Sequence, residues 1–78
     1  MPSRRTDGPK VRTLRQAAGH RQVDFAQLAG VSAGYLREIE AGRYDPSPVV
    51  LHRIATVLGV GIDDISEPFE PAATAGVA

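Results

Sequence analysis

The nine arginines and lysines are the residues of this chain best placed to do chemistry, and they are unevenly distributed. Within residues 1–21, Arg4, Arg5, Lys10, Arg12, Arg15 and Arg21 stand against Asp7 alone, leaving that stretch at +5. Residues 22–43 set Arg37 and Arg43 against Asp24, Glu38 and Glu40, a net −1. Residues 44–78 set Arg53 against Asp45, Asp63, Asp64, Glu67 and Glu70, a net −4. The total charge of zero therefore hides a chain polarised from a basic start to an acidic end. Two readings fit that asymmetry: a face that binds a polyanion, or a solvated basic tail and a solvated acidic one.

Catalytic chemistry is poorly supplied. There is no cysteine to act as nucleophile. The two histidines and the scattered carboxylates lack the spacing of a metal site or a catalytic triad. The adjacent Asp63 and Asp64 suit a helix start, where negative charge favours the N-terminal end of the helix dipole. The eight glycines punctuate helices and form no phosphate-cradling loop. No enzyme, cofactor, metal or small-molecule ligand is expected. His20 reads as a satisfied turn histidine and His52 as a partly exposed neighbour of an apolar stripe.

Seventy-eight residues suggest one small domain, in which every apolar position must be used well. The absence of cysteine excludes disulfides and fits a reducing cytosol. No apolar run approaches the roughly 20 residues that span a bilayer. The start, Met1-Pro-Ser-Arg-Arg, is not followed by an apolar core, so no signal peptide is expected. The expected location is cytoplasmic, with no membrane partner.

The elements that must position the charges are helices, each closed by glycine or proline. Residues 1–7 read as a flexible basic arm. Pro9 suits a first helical turn, with Val11, Leu14 and Ala18 as the apolar stripe before Gly19. A second helix, about Gln22 to Ala29, is expected to bury Phe25, Ala26, Leu28 and Ala29. Gly30-Val31-Ser32 then separates it from a third, about 33–41, that buries Leu36 and Ile39. Ser47-Pro48 opens a fourth helix carrying Leu51, Ile54, Ala55 and Leu58, and Ile62 to Ile65 form a short fifth. The compact domain is set at 8–66, and residues 67–78 read as a flexible acidic, Ala- and Pro-containing tail. Strand signals are nearly absent, so the class is all-α with five helices. Two short helices about a glycine turn are compatible with a helix-turn-helix.

The ordered set Leu14-Arg15, Gly19, Gln22, Phe25-Ala26, Gly30-Val31-Ser32, Tyr35-Leu36, Ile39-Glu40, Gly42, Pro46-Ser47, Ile54-Ala55 and Leu58-Gly59-Val60 adds a specific likeness. Over about Val11–Ile65 the chain resembles the phage repressor and Cro-like helix-turn-helix family, also called the xenobiotic-response-element family. The resemblance implies a lambda-repressor-like fold. It also implies that helices 2 and 3 form the DNA-binding unit, with helix 3 in the major groove and helix 2 across the backbone.

A helical wheel of about 100° per residue puts Leu36, Ile39 and Glu40 on one side of helix 3. Gly34, Glu38 and Ala41 fall on the other, flanked by Arg37 and Tyr35. Ala33 and Gly34 occupy the N-terminal end that reaches base edges first, and with Tyr35, Arg37 and Glu38 they make the groove-facing set, in which Arg37 could bond guanine but is better placed for phosphate. Here the chain departs from the family pattern, which often has Gln, Arg, Asn or Ser at the first positions. Ala33 and Gly34 supply only apolar contact or close backbone approach, so base readout is sparse and DNA shape contributes. Gln22 matches the family glutamine that contacts a phosphate and braces the recognition helix. Arg21, Ser32, Arg43 and Tyr44 complete the phosphate set, and Arg4 and Arg5 could lie along a groove as an arm. In the family, an arginine at the position of Arg15 pairs with the glutamate closing helix 3. Glu40 faces inward and would be costly unpaired, so Arg15 and Glu40 are assigned to structure.

The function implied is a transcriptional regulator that binds double-stranded DNA as a homodimer on a symmetric operator. Candidate dimer contacts are Val49, His52, Val57, Val60, Ile62, Ile65 and Phe69. The alternative is a protein-interaction module, such as an antitoxin whose tail from Glu67 onward meets a toxin.

Overall fold

The computed structural model describes residues 4–68. The five helices are α1 (Gly8–Ala17), α2 (Gln22–Ala29), α3 (Ala33–Glu40), α4 (Pro48–Leu58) and α5 (Ile62–Ile65). A two-stranded antiparallel ribbon joins the ends, with β1 (Arg4–Thr6) paired to β2 (Ser66–Pro68). Each expected helix is present and ends within a residue or two of its expected bounds.

Local chemistry sets the helix starts. Asp7 caps α1 by accepting from the Lys10 N–H at 3.1 Å, and Pro9 fills the first turn. Ser47 does the same for α4, accepting from the Val50 N–H at 3.3 Å. In α5, Asp64 reaches back to the Gly61 N–H at 2.9 Å, which ties down the start of a helix only four residues long.

The core gathers Val11 from α1, Phe25, Ala26 and Ala29 from α2, Leu36 and Ile39 from α3, Leu51, Ile54 and Ala55 from α4, and Ile65 from α5. Helix α2 packs against α3 and α4, while α1 packs against α3 and α5. At Gly8 two elements approach closely. A Cβ built there would collide with the Ile39 carbonyl oxygen and lie 2.9 Å from that of Glu40. The start of α1 therefore presses directly on the backbone that ends α3.

Three expectations need correction. Arg4–Thr6 is a strand, not a loose arm, and Glu67 and Pro68 belong to its partner, not to a flexible tail. The register Arg5↔Glu67 sets opposite charges across the ribbon. The Thr6 N–H donates to Asp45 Oδ1 at 3.0 Å, and the Asp7 N–H donates to the Ile65 carbonyl at 2.8 Å. The second correction concerns packing: Leu28 is 60% exposed, and Ala18 is exposed while Arg15 takes the buried place on α1. Third, Ile65 is fully buried, because a one-turn helix needs it as an anchor; it is withdrawn as a dimer contact. Phe69, together with Glu70 and the rest of the tail, lies outside the described residues.

Candidate nucleic-acid interface

The turn between α2 and α3 is set by Gly30, which holds a left-handed φ of 76°. That conformation lets its N–H and that of Val31 return to the carbonyls ending α2, the latter to Ala26 at 2.9 Å. Any side chain at residue 30 would be strained there. Two residues later, the Ser32 hydroxyl accepts from the Tyr35 N–H at 3.0 Å and starts α3. Three residues thus fix the orientation of α3 relative to α2.

The inward side of α3 is held by a buried polar cluster. Arg15 Nε donates to Glu40 Oε2 at 2.7 Å, and Nη2 donates to Oε1 at 3.1 Å. Arg15 Nη1 donates to the His20 carbonyl at 2.8 Å, which engages the turn between α1 and α2. Gln22 Nε2 donates to Glu40 Oε1 at 3.1 Å. One carboxylate therefore binds α1, α2 and α3 together. The bidentate guanidinium fork makes the arrangement directional as well as charge-balanced. The His20 ring rests tilted on Phe25 at 5.7 Å, a packed turn residue.

The opposite side of α3 is open. Gly34 and Arg37 are exposed, Ala33, Tyr35 and Glu38 are half-buried, and a Cβ built on Gly34 would meet nothing within 4 Å. Backbone at Gly34 can therefore be approached closely from outside. Tyr35 packs edge-on against Tyr44 with ring centroids 5.0 Å apart, fixing the loop after α3 to the start of the helix. Burial, and then the neighbouring Tyr44 hydroxyl, push the Tyr35 phenol above its ordinary range.

Two arginines of the expected phosphate set are paired. Arg43 Nε and Nη2 donate to Glu38 at 3.0 and 3.1 Å, and Arg21 Nε donates to Asp24 at 2.8 Å. Their hydrogen bonds hold the Glu38 and Asp24 carboxyls below the usual carboxylate range. Such depressed carboxylates contribute stability that is present above about pH 4 and lost as pH falls through the lower folded-state value. Solvent screens both pairs, so their main effect is on charge at the surface.

Glu38 places a negative charge on the open face of α3 and holds Arg43 away from other anions. Glu38→Gln is therefore expected to tighten binding to unrelated duplexes several-fold. The dependence of log K on log salt should steepen by about 1 as Arg43 is released. Fluorescence anisotropy across a salt series measures both; equal or weaker binding would contradict this role for Glu38.

Arg12 was not singled out as a site residue from sequence. It lines a depression with Arg15, Gln22, Arg37, Glu40 and Ala41. The available signal was its position one turn before Arg15. Among the other expected residues, Val49 is 60% exposed and His52 exposed, whereas Val57, Val60 and Ile62 are half-buried against the core. Among the described residues, no group of His, Cys, Asp and Glu could hold a metal, and no helix is long and apolar enough to cross a membrane.

A short α2–α3 pair across a glycine turn, clamped to α1 from behind and open in front, defines a helix-turn-helix protein. A family model described as a helix-turn-helix domain matches residues 8–67, and the chain belongs to that family of DNA-binding transcriptional regulators. It is similar to YazB of Bacillus subtilis, an uncharacterised HTH-type transcriptional regulator. The two are 34% identical over 61 residues, covering 78% of this chain and 88% of that one. It is also 35% identical over 60 residues to the immunity repressor protein of Bacillus phage phi105, covering 77% of this chain but only 42% of the repressor. Among solved structures it resembles SinR, the master regulator for biofilm formation, in complex with DNA. The TM-score is 0.68 at 30% identity, covering 72% of this chain and 90% of that one.

Proposed function

We propose that this chain is a sequence-specific regulator that places α3 in the major groove and binds a symmetric operator as a homodimer. The observation that carries the reading is the two-sided α3. Its inner side is locked by Glu40 to Arg15 and Gln22, while its outer side carries the exposed Gly34 and Arg37 and the half-buried Glu38. A rigid support behind an accessible helix is what groove insertion requires. Ala33, Gly34, Tyr35 and Glu38 meet base edges, with Arg37 at their flank. Gln22, Ser32, Arg21, Arg43 and Tyr44 meet the backbone, with Arg21 and Arg43 exchanging carboxylate for phosphate. The N-terminal end of α2 supports this reading, because no side chain caps it and its first N–H groups can point at a phosphate. The SinR neighbour was solved in complex with DNA, which favours DNA as the partner.

Dimerisation would use the exposed part of α4, Val49 and His52, with the half-buried Val57, Val60 and Ile62 at its edge. Arg4 and Arg5 approach DNA from a ribbon anchored to Asp45 and not as a free arm. Selection of bound sequences from random duplexes tests the reading. The expected result is an inverted repeat with half-site centres about 10 bp apart, bound by two copies of the chain. Recovery of no preferred sequence would contradict it.

A further inference from the structure

Arg12 and Arg15 stand one turn apart on α1, and Arg37 and Glu40 stand one turn apart on α3. Because the Arg15–Glu40 pair fastens the two helices, this shared spacing brings Arg12 and Arg37 to one depression of about 330 Å³. The only carboxylate lining it is Glu40, already engaged by Arg15 and Gln22. Arg21 and Arg43 have their own acids, Asp24 and Glu38. Among the described residues Arg12 and Arg37 make no side-chain hydrogen bond or close ion pair; Arg37 acts on the neighbouring Glu38 carboxyl only through space, and both arginines are exposed. Three guanidinium groups and one carboxylate leave this pocket at +2. Two exposed guanidinium groups brought to one depression by fastened helices present a preformed positive site to an anion.

We propose that Arg12 and Arg37 together cradle one backbone phosphate of duplex DNA. The proposal rests on the reading of this face as the DNA interface. The guanidinium forks match the oxygens of a phosphodiester. Gln22 lines the same pocket and keeps a second amide N–H beyond the one given to Glu40. Arg37 is thereby assigned to the backbone and not to a base edge, and Arg12 joins the contact set. The two residues orient the protein on any sequence and read none of it.

The test compares Arg12→Gln, Arg37→Gln and the double variant with wild type, and with Arg53→Gln as a charge-matched control on α4. Duplex binding is followed by anisotropy across a salt series, on operator and unrelated sequences alike. Each single variant should weaken binding several-fold on every sequence. The double variant should show a slope of log K against log salt shallower by about 0.9, the value for one phosphate. Thermal melts should move by no more than a few degrees, because both side chains are exposed and Arg37 gives up only its favourable place in the last turn of α3; a large drop would mark a structural role and overturn the proposal. A slope loss of about 1.8 in the double variant would mean two separate phosphates and overturn the shared cradle. An unchanged slope, with wild type still binding duplex, would overturn the proposal and leave the DNA reading standing. Failure of wild type to bind any duplex would reject the DNA reading and the cradle with it. Inorganic phosphate, titrated against the labelled protein, should give only weak, unsaturated shifts at Arg12 and Arg37. Saturation without DNA would assign the pocket to a free anion instead.

Discussion

Glu40→Ala is expected to lower the melting temperature by on the order of 15 °C or more. The substitution leaves Arg15 buried at 7% exposure with only the His20 carbonyl as acceptor, and strips Gln22 of its partner. Breaking a buried pair from one side costs about 3–5 kcal/mol. A domain of this size holds roughly 5–10 kcal/mol in all. Each kcal/mol corresponds to about 4–8 °C at this length. The damage also has a location, because Glu40 ties the end of α3 to α1 and α2. DNA affinity should therefore fall even at temperatures where the variant stays folded. Replacing both partners, with Arg15→Met and Glu40→Leu, should recover most of the lost stability, since no charge is then left buried. Circular dichroism melts of the two variants decide the matter; an unchanged melt for Glu40→Ala would contradict the pairing.

Gly8→Ala is the second large effect expected, about 2–3 kcal/mol of destabilisation. Alanine usually improves a helix, so local propensity points the other way. Sterics prevail because the new methyl would meet the carbonyls of Ile39 and Glu40, which are backbone and cannot rotate aside. Relief requires α1 to lift from the end of α3, which disturbs the Arg15–Glu40 geometry. Chemical denaturation measures the loss. A neutral or stabilising result would show that α1 and α3 can separate freely at this point. Gly34→Ala is the internal contrast: the same change on α3, where a Cβ meets nothing, should leave stability unchanged or slightly higher.

Much of this site was legible in the sequence. The wheel for helix 3 separates Leu36, Ile39 and Glu40 from Gly34, Glu38 and Ala41 because a helix has a fixed period, and the observed burial follows that division. The Arg15–Glu40 pair came through family resemblance joined to the cost of an unpaired inward carboxylate, and it is present with bidentate geometry.

The ribbon was not legible. Its two strands have three residues each and lie some sixty residues apart, so no local alternation announces them. Leu28 is apolar but lies off the inward face of its helix, so its exposure is set by angle and not by hydrophobicity. Phe25, Ala26 and Ala29 already fill the buried arc of α2, and Leu28 falls more than about 90° from its centre. The small alanines are in the core because they let α2 approach its neighbours closely. The pairing of Arg43 with Glu38 was equally hidden. It spans the end of α3, where the chain leaves the helical period and spacing no longer fixes which side chains meet.

The central claim is that duplex DNA docks on the open side of α2 and α3. The most direct measurement is an amide NMR titration of labelled protein with a selected duplex. The largest shifts are expected at Arg12, Arg21, Gln22, residues 32–38, Arg43 and Tyr44, with α5 and the ribbon little changed. Shifts concentrated on α5 and the ribbon, with α3 silent, would contradict it.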